Sequence, residues 1–177
     1  ALSAQATDIG VNKATEALFK IVSTPQDMLD LGIETLIEHI KSIGLYKTKA
    51  KNVMAAAQIL VDKHGGEVPV DRELMVELPG VGRKTANVVL NMAFGIPTIA
   101  VDTHLFRVSN RSGMAAGKTP DAVEDKLEKK VPADFALHAH HWLILHGRYI
   151  CKARKPECWR CPVAHVCLMK DKSERPR

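Results

Sequence analysis

Cysteine is absent from the first 150 residues of this 177-residue chain; the only four are Cys151, Cys158, Cys161 and Cys167. A secreted scaffold braced by disulfides spreads its cysteines along the chain, so that class is excluded. Long apolar runs are missing as well. The stretch from Val53 to Val61 is interrupted by Gln58, and nothing approaches the ~18 residues of a membrane-spanning helix. No signal-peptide pattern opens the chain. Alternating polar and apolar runs are few, and Thr98 to Val101 is too short to decide a fold. No internal repeat and no low-complexity linker occurs. An initiator Met is also lacking. The chain starts at Ala1 inside what reads as an element, so a missing N-terminal segment is expected, with room for a targeting sequence upstream.

What is present is globular. Hydrophobic residues make up 46% and charged residues 25%, which excludes a disordered tail, a collagen-like repeat and a coiled-coil rod. The length suits one compact domain or two small ones. Lys and Arg number 25 against 20 Asp and Glu, for a net charge of +5. The excess is concentrated. From His146 onward, Arg148, Lys152, Arg154, Lys155, Arg160, Lys170, Lys172, Arg175 and Arg177 stand against Glu157, Asp171 and Glu174. This tail is therefore +6 and the remainder −1. Such a tail is either solvated or a surface for a polyanion.

The first 150 residues read as short helices separated by loops, an all-α class. Asp8 caps a helix from about Gly10 to Val22, with Val11, Ala14, Leu18 and Ile21 on one face. Thr24-Pro25 places a cap before a first-turn proline and opens a helix through Leu31. Further helices are expected from Glu34 to Ser42, Tyr46 to His64, Asp71 to Leu78, Arg83 to Phe94 and Thr119-Pro120 to Lys130, then Phe135 to Ile150. In the long Tyr46 helix, Val53, Ala57, Leu60 and Val61 are the inward positions.

Three stretches carry chemistry. The cysteines follow C-x6-C-x2-C-x5-C, a set of four soft ligands in one short segment. Structural zinc favours two close pairs, and only Cys158 and Cys161 have that spacing. An iron–sulfur cluster is therefore favoured, with zinc and free thiols as alternatives, in a reducing compartment. Leu78-Pro79-Gly80-Val81-Gly82-Arg83-Lys84-Thr85-Ala86 is a hairpin between two helices. Its glycines expose backbone N–H groups at a helix start, where a phosphate is favoured; an ordinary helix–helix turn is the alternative. Lys84 lies in the first turn of the second helix, as either a solvated charge or a nucleophile. Asp102 ends the apolar loop that starts at Gly95, and serves either as a cap for the next helix or as a carboxylate facing a desolvated site. His138, His140 and His141 on the last long helix fit packing or surface positions better than a second metal site.

These residues resemble endonuclease III, a DNA glycosylase and AP lyase of the helix-hairpin-helix superfamily with a [4Fe–4S] cluster. The resemblance rests on LPGVGRKTANVVLN with Lys84, on VDTH around Asp102, and on the cysteines after HHWLILHGRYIC, and it extends over nearly the whole chain. It implies two helical lobes flanking a DNA groove: residues 1–96 as a six-helix lobe with the hairpin, and 97–177 as the cluster lobe with Asp102. It implies removal of oxidised or ring-damaged pyrimidines from duplex DNA, with the damaged nucleotide flipped out, and strand cleavage 3′ to the abasic site. By matching position, Lys84 is the nucleophile at C1′ and Asp102 its paired carboxylate. Gln5 and Leu45 fill the gap left by the flipped nucleotide. Gly80, Val81 and Gly82 offer amides to phosphate, and Lys152, Arg154 and Lys155 meet phosphates from a loop pinned by the cluster. Glu157 dilutes that basic loop.

The implied protein is a cytoplasmic monomer, nucleoid-associated in a bacterium. The family carries a helix ahead of LSAQATD that is absent here, and a shortened sequence is the expected reason. An adenine-mismatch glycosylase of the same superfamily lacks the nucleophilic lysine and carries a further C-terminal domain. A DNA-binding iron–sulfur protein without catalysis is the alternative from a different class.

Overall fold

The computed structural model describes residues 1–3 and 6–175. Among them there are nine α-helices and no strand, as the helical periodicity requires. They are α1 (Asp8–Thr15), α2 (Pro25–Leu31), α3 (Ile33–Ile40), α4 (Tyr46–His64), α5 (Arg72–Val76), α6 (Arg83–Phe94), α7 (Thr103–Ser112), α8 (Pro120–Lys130) and α9 (Ala133–Tyr149). Two 3₁₀ turns, Leu18–Lys20 and Cys158–Arg160, complete the regular structure. The chain divides into two compact units, 1–86 and 87–177. The division falls within α6; the boundary read from the sequence, at 96/97, lies just beyond the end of that helix.

In the first unit α4 is the long central helix, and α2 and α3 pack on it. Leu18, Leu36, Ile40 and Ala50 are fully buried there, with Met28 and Ile43 around them. Each such aliphatic side chain contributes ~1.5–3 kcal/mol of burial. The Thr24-Pro25 device works as read: Thr24 accepts from the Asp27 amide while Asp27 accepts from the Thr24 and Ser23 amides. In the second unit Ile99, Leu105, Ala115, Val123 and Leu127 form the core. There α7 packs against α9 at Gly147, where an added Cβ would lie 2.8 Å from the Cβ of His104. Only glycine permits that approach.

The first helix is shorter than its periodicity suggested. Thr7, not Asp8, is the N-cap, and the helix ends at Thr15. The chain then tightens into the 3₁₀ turn, which leaves Ile21 exposed and buries Val22 instead. Gly32 starts α3 one residue earlier than expected, and α3 ends at Ile40, short of Ser42. Asp71 caps α5 from outside, and α5 stops at Val76.

Candidate functional site

The hairpin between α5 and α6 is built from its sequence. Leu78-Pro79-Gly80-Val81 forms a turn closed by the Val81 amide donating to the Leu78 carbonyl at 3.0 Å. Pro79 sets the second position, and Gly80 supplies φ of +78° at the third, the pattern of a type II turn. An added Cβ on Gly80 would meet the Asn52 side chain at 3.1 Å, so glycine is required for space as well. The Val81 amide is thus consumed by the turn, contrary to its expected role at phosphate. The Gly80 and Gly82 amides take no part in the backbone bonds that close the hairpin among the described residues. The first amides of α6 have no partner within the helix. Together these N–H groups suit an anion at the positive end of α6.

Lys84 follows in the first turn of α6, exposed and without an ion pair or hydrogen bond among the described residues. Its amine is free to meet a substrate. Leu45 is 64% exposed and adopts φ of +60° immediately before α4. A branched apolar side chain held in the left-handed region and pointed at water stores strain without burial. It is not a core residue. Gln5 lies outside the described residues.

Asp102 is the N-cap of α7. Its Oδ1 accepts from the amides of His104 and Leu105, each at 2.8 Å. Oδ2 has no hydrogen bond among the described residues. One oxygen anchors the group and the other is unbonded, so a capping role does not use up the carboxylate.

All four cysteines line one cavity of about 630 Å³, among Val108, Leu143 and other apolar side chains. None is in a disulfide. No group of three or more His, Cys, Asp or Glu side chains among the described residues converges on a single-ion position. Thiols arranged around a wide cavity suit a cluster better than one tetrahedral zinc. Arg111, in the last turn of α7, donates to Cys151 Sγ at 3.7 Å and to the carbonyls of Lys152 and Ala153 at 2.7 and 2.9 Å. The Arg111 carbonyl lies 3.6 Å from Cys167 Sγ. Arg107 donates to the Cys151 carbonyl at 2.9 Å. His146 Nε2 lies 3.7 Å from Cys161 Sγ, and burial pushes its pKa down, favouring the neutral ring. Ser173 Oγ accepts from the Cys158 amide. Sequence reasoning missed Arg111, Arg107, His146 and Ser173 as supports of the cysteine segment. A basic residue near the end of α7 was the one local signal for Arg111, and it points equally to solvent.

In the basic loop, Glu157 accepts from Lys152 and from Arg160, and these hydrogen bonds hold its carboxyl below the usual range. Lys152 is therefore occupied. Arg154 and Lys155 remain exposed without such a partner among the described residues. Lys155 has φ of +51°; apart from Leu45 it is the one positive-φ residue other than glycine among those described. His138 rests on Trp142 with ring centres 5.6 Å apart, His140 is buried and His141 is exposed.

Comparison with known proteins decides the family. Residues 1–133 match the HhH-GPD superfamily of base excision DNA repair proteins, and residues 151–167 match the iron–sulfur binding domain of endonuclease III. Endonuclease III of Haemophilus influenzae is 60% identical over 98% of this chain and 82% of its own length. This chain belongs to the endonuclease III family. A solved trapped endonuclease III–DNA covalent intermediate superposes with a TM-score of 0.87 at 49% identity, covering 94% of this chain and 79% of that one. A thermostable thymine-DNA glycosylase superposes at 0.85 with 28% identity and the same coverages. As a member, the protein is a base-excision DNA repair enzyme that binds DNA and carries a [4Fe–4S] cluster. The iron–sulfur match begins at Cys151 and ends at Cys167, the two outer cysteines.

Proposed function

We propose that this protein is a bifunctional glycosylase and AP lyase for oxidised or ring-damaged pyrimidines in duplex DNA. The observation that carries the reading is Lys84, in the first turn of α6 directly behind the hairpin, an exposed amine without a partner among the described residues. The covalent DNA intermediate of a related endonuclease III supports a nucleophile in this fold. The Nζ lone pair attacks C1′ of the flipped nucleotide, and the base departs with the glycosidic electrons and takes up a proton. Ring opening leaves a Schiff base between Nζ and C1′. Loss of a C2′ proton then expels the 3′ phosphate, and water hydrolyses the imine to free the lysine. The free Oδ2 of Asp102 serves to accept the proton of the Lys84 ammonium and to offset positive charge on the sugar.

The cysteines Cys151, Cys158, Cys161 and Cys167 hold the cluster, whose chemistry here is to brace the loop between the first two ligands. Gly80, Gly82, Arg154 and Lys155 contact phosphate, and Gln5 and Leu45 occupy the vacated stack. The protein works as a monomer in a reducing compartment, the cytoplasm, which suits four reduced cysteines. Borohydride added to the protein with abasic duplex should give a covalent protein–DNA adduct. A DNA-binding protein without lyase chemistry forms none, so absence of the adduct rejects the reading.

The basic loop makes a separate prediction. Phosphate contacts ignore base identity and release counterions. Lys155→Ala should weaken binding to damaged and undamaged duplex by similar factors, and lower the slope of log K against log salt by about 0.9. Base release at saturating DNA should stay near wild type. An unchanged salt slope would mean that this loop points to solvent.

A further inference from the structure

We infer that Asn87, Asn91 and Thr98 form a polar clasp that positions the Asp102 carboxylate for base release. The inference rests on the proposed role of Asp102, and it concerns how that carboxylate is held rather than what it does. After α6 the chain reverses at Gly95, with φ of +67°; the Gly95 amide donates to Asn91 and the Ile96 amide to Leu90. Residues 98–101 then run through the interior with no regular structure, yet they are 8%, 2%, 1% and 6% exposed. Buried backbone without a helix or sheet needs side-chain partners.

Two amides on α6, one helical turn apart, supply them. Asn91 Nδ2 donates to the Thr98 carbonyl at 3.3 Å and to the Leu137 carbonyl of α9 at 3.0 Å. Asn87 Nδ2 donates to the Ile99 carbonyl at 3.5 Å. Thr98 completes the clasp in the other direction, its hydroxyl donating to the Asn87 carbonyl at 2.6 Å. Asn87 is wholly buried, and its Oδ1 has no hydrogen-bond partner among the described residues. An amide placed there with one end unsatisfied is a cost that packing alone does not explain. The geometry accounts for it: the Nδ2 end faces the segment that leads to Asp102.

Three residues, Ile99, Ala100 and Val101, separate Thr98 from Asp102, and all three are locked in the core. The clasp and the α7 cap therefore fix Asp102 from both sides, and Oδ2 is left with a set direction. A shift of an ångström at such a group costs far more in rate than in stability. Asn87, Asn91 and Thr98, all buried, are thus positioning residues.

The test is Thr98→Val, which keeps the shape and removes the hydroxyl. Single-turnover release of a damaged pyrimidine should slow by ~10-fold or more. The dissociation constant for duplex should be unchanged, and the melting temperature should move by no more than ~2–4 °C. Thr98→Ser, which restores the donor, should recover the rate. Wild-type base release in Thr98→Val overturns the inference, as does a rate loss that Thr98→Ser fails to rescue. Should Thr98→Val not fold, Asn91→Leu removes the opposite half of the clasp and is judged by the same rate and affinity. Asp102→Asn is measured alongside. If it too releases base normally, the assignment of Asp102 has failed and the inference falls with it. If it is slow while both clasp variants are normal, the clasp alone is wrong.

Discussion

Lys84→Gln should abolish strand incision and borohydride trapping on abasic duplex, lowering lyase turnover by ~10³-fold or more. Glutamine keeps most of the length and polarity of lysine but has no basic lone pair to attack C1′ or form an imine. The fold gives no reason for collateral damage. Lys84 is exposed and unpartnered among the described residues, and surface positions of that kind usually change stability by less than ~0.5 kcal/mol. Duplex binding should survive, because the hairpin amides and the exposed Arg154 and Lys155 remain. Affinity and catalysis should therefore separate cleanly in this one variant. Normal lyase turnover by Lys84→Gln would remove the lysine from the mechanism and return the protein to simple base release or to binding alone.

The parts of the fold legible in the sequence are those that local chemistry decides. Thr24-Pro25 and Thr119-Pro120 open α2 and α8 where read, and the bounds of α4 and α6 coincide with glycine stops and the hairpin. The errors lie where two local signals compete. Thr7 and Asp8 are adjacent capping residues, and it is the Thr7 hydroxyl that accepts the Gly10 amide. Ile21 continues the apolar spacing of α1, yet the chain has already left the helix at Glu16. Val81 shows the same limit at the site. Its neighbours mark a hairpin, but only the turn geometry reveals that its amide is spent inside it. The cysteine spacing made the cluster segment visible. Its supports were not: Arg111 reaches Cys151 across 40 residues, and no period or spacing encodes that contact. Nothing in the sequence pairs Asn87 and Asn91 with the segment after α6; their bonds to its carbonyls appear only once that segment is buried beside them.

Asp102→Asn should slow base release by ~10²-fold or more while leaving the protein folded. The two halves of that statement come from the two oxygens. Oδ1 caps α7 through the His104 and Leu105 amides, and an asparagine side-chain oxygen caps about as well as aspartate. The substitution therefore retains the anchor and replaces the unbonded Oδ2 with an NH₂ group. That group cannot accept the Lys84 proton and carries no charge to offset a developing cation. Asp102→Ala provides the contrast, since it removes cap and carboxylate together and should cost ~0.5–2 kcal/mol of stability in addition to the rate. The pair separates structure from chemistry. If Asp102→Asn loses stability as Asp102→Ala does and keeps its rate once folded, the residue is a helix cap and the carboxylate of this reaction must be sought elsewhere. If both variants are equally slow and only Asp102→Ala is unstable, the capping oxygen and the reactive oxygen have been told apart on one side chain.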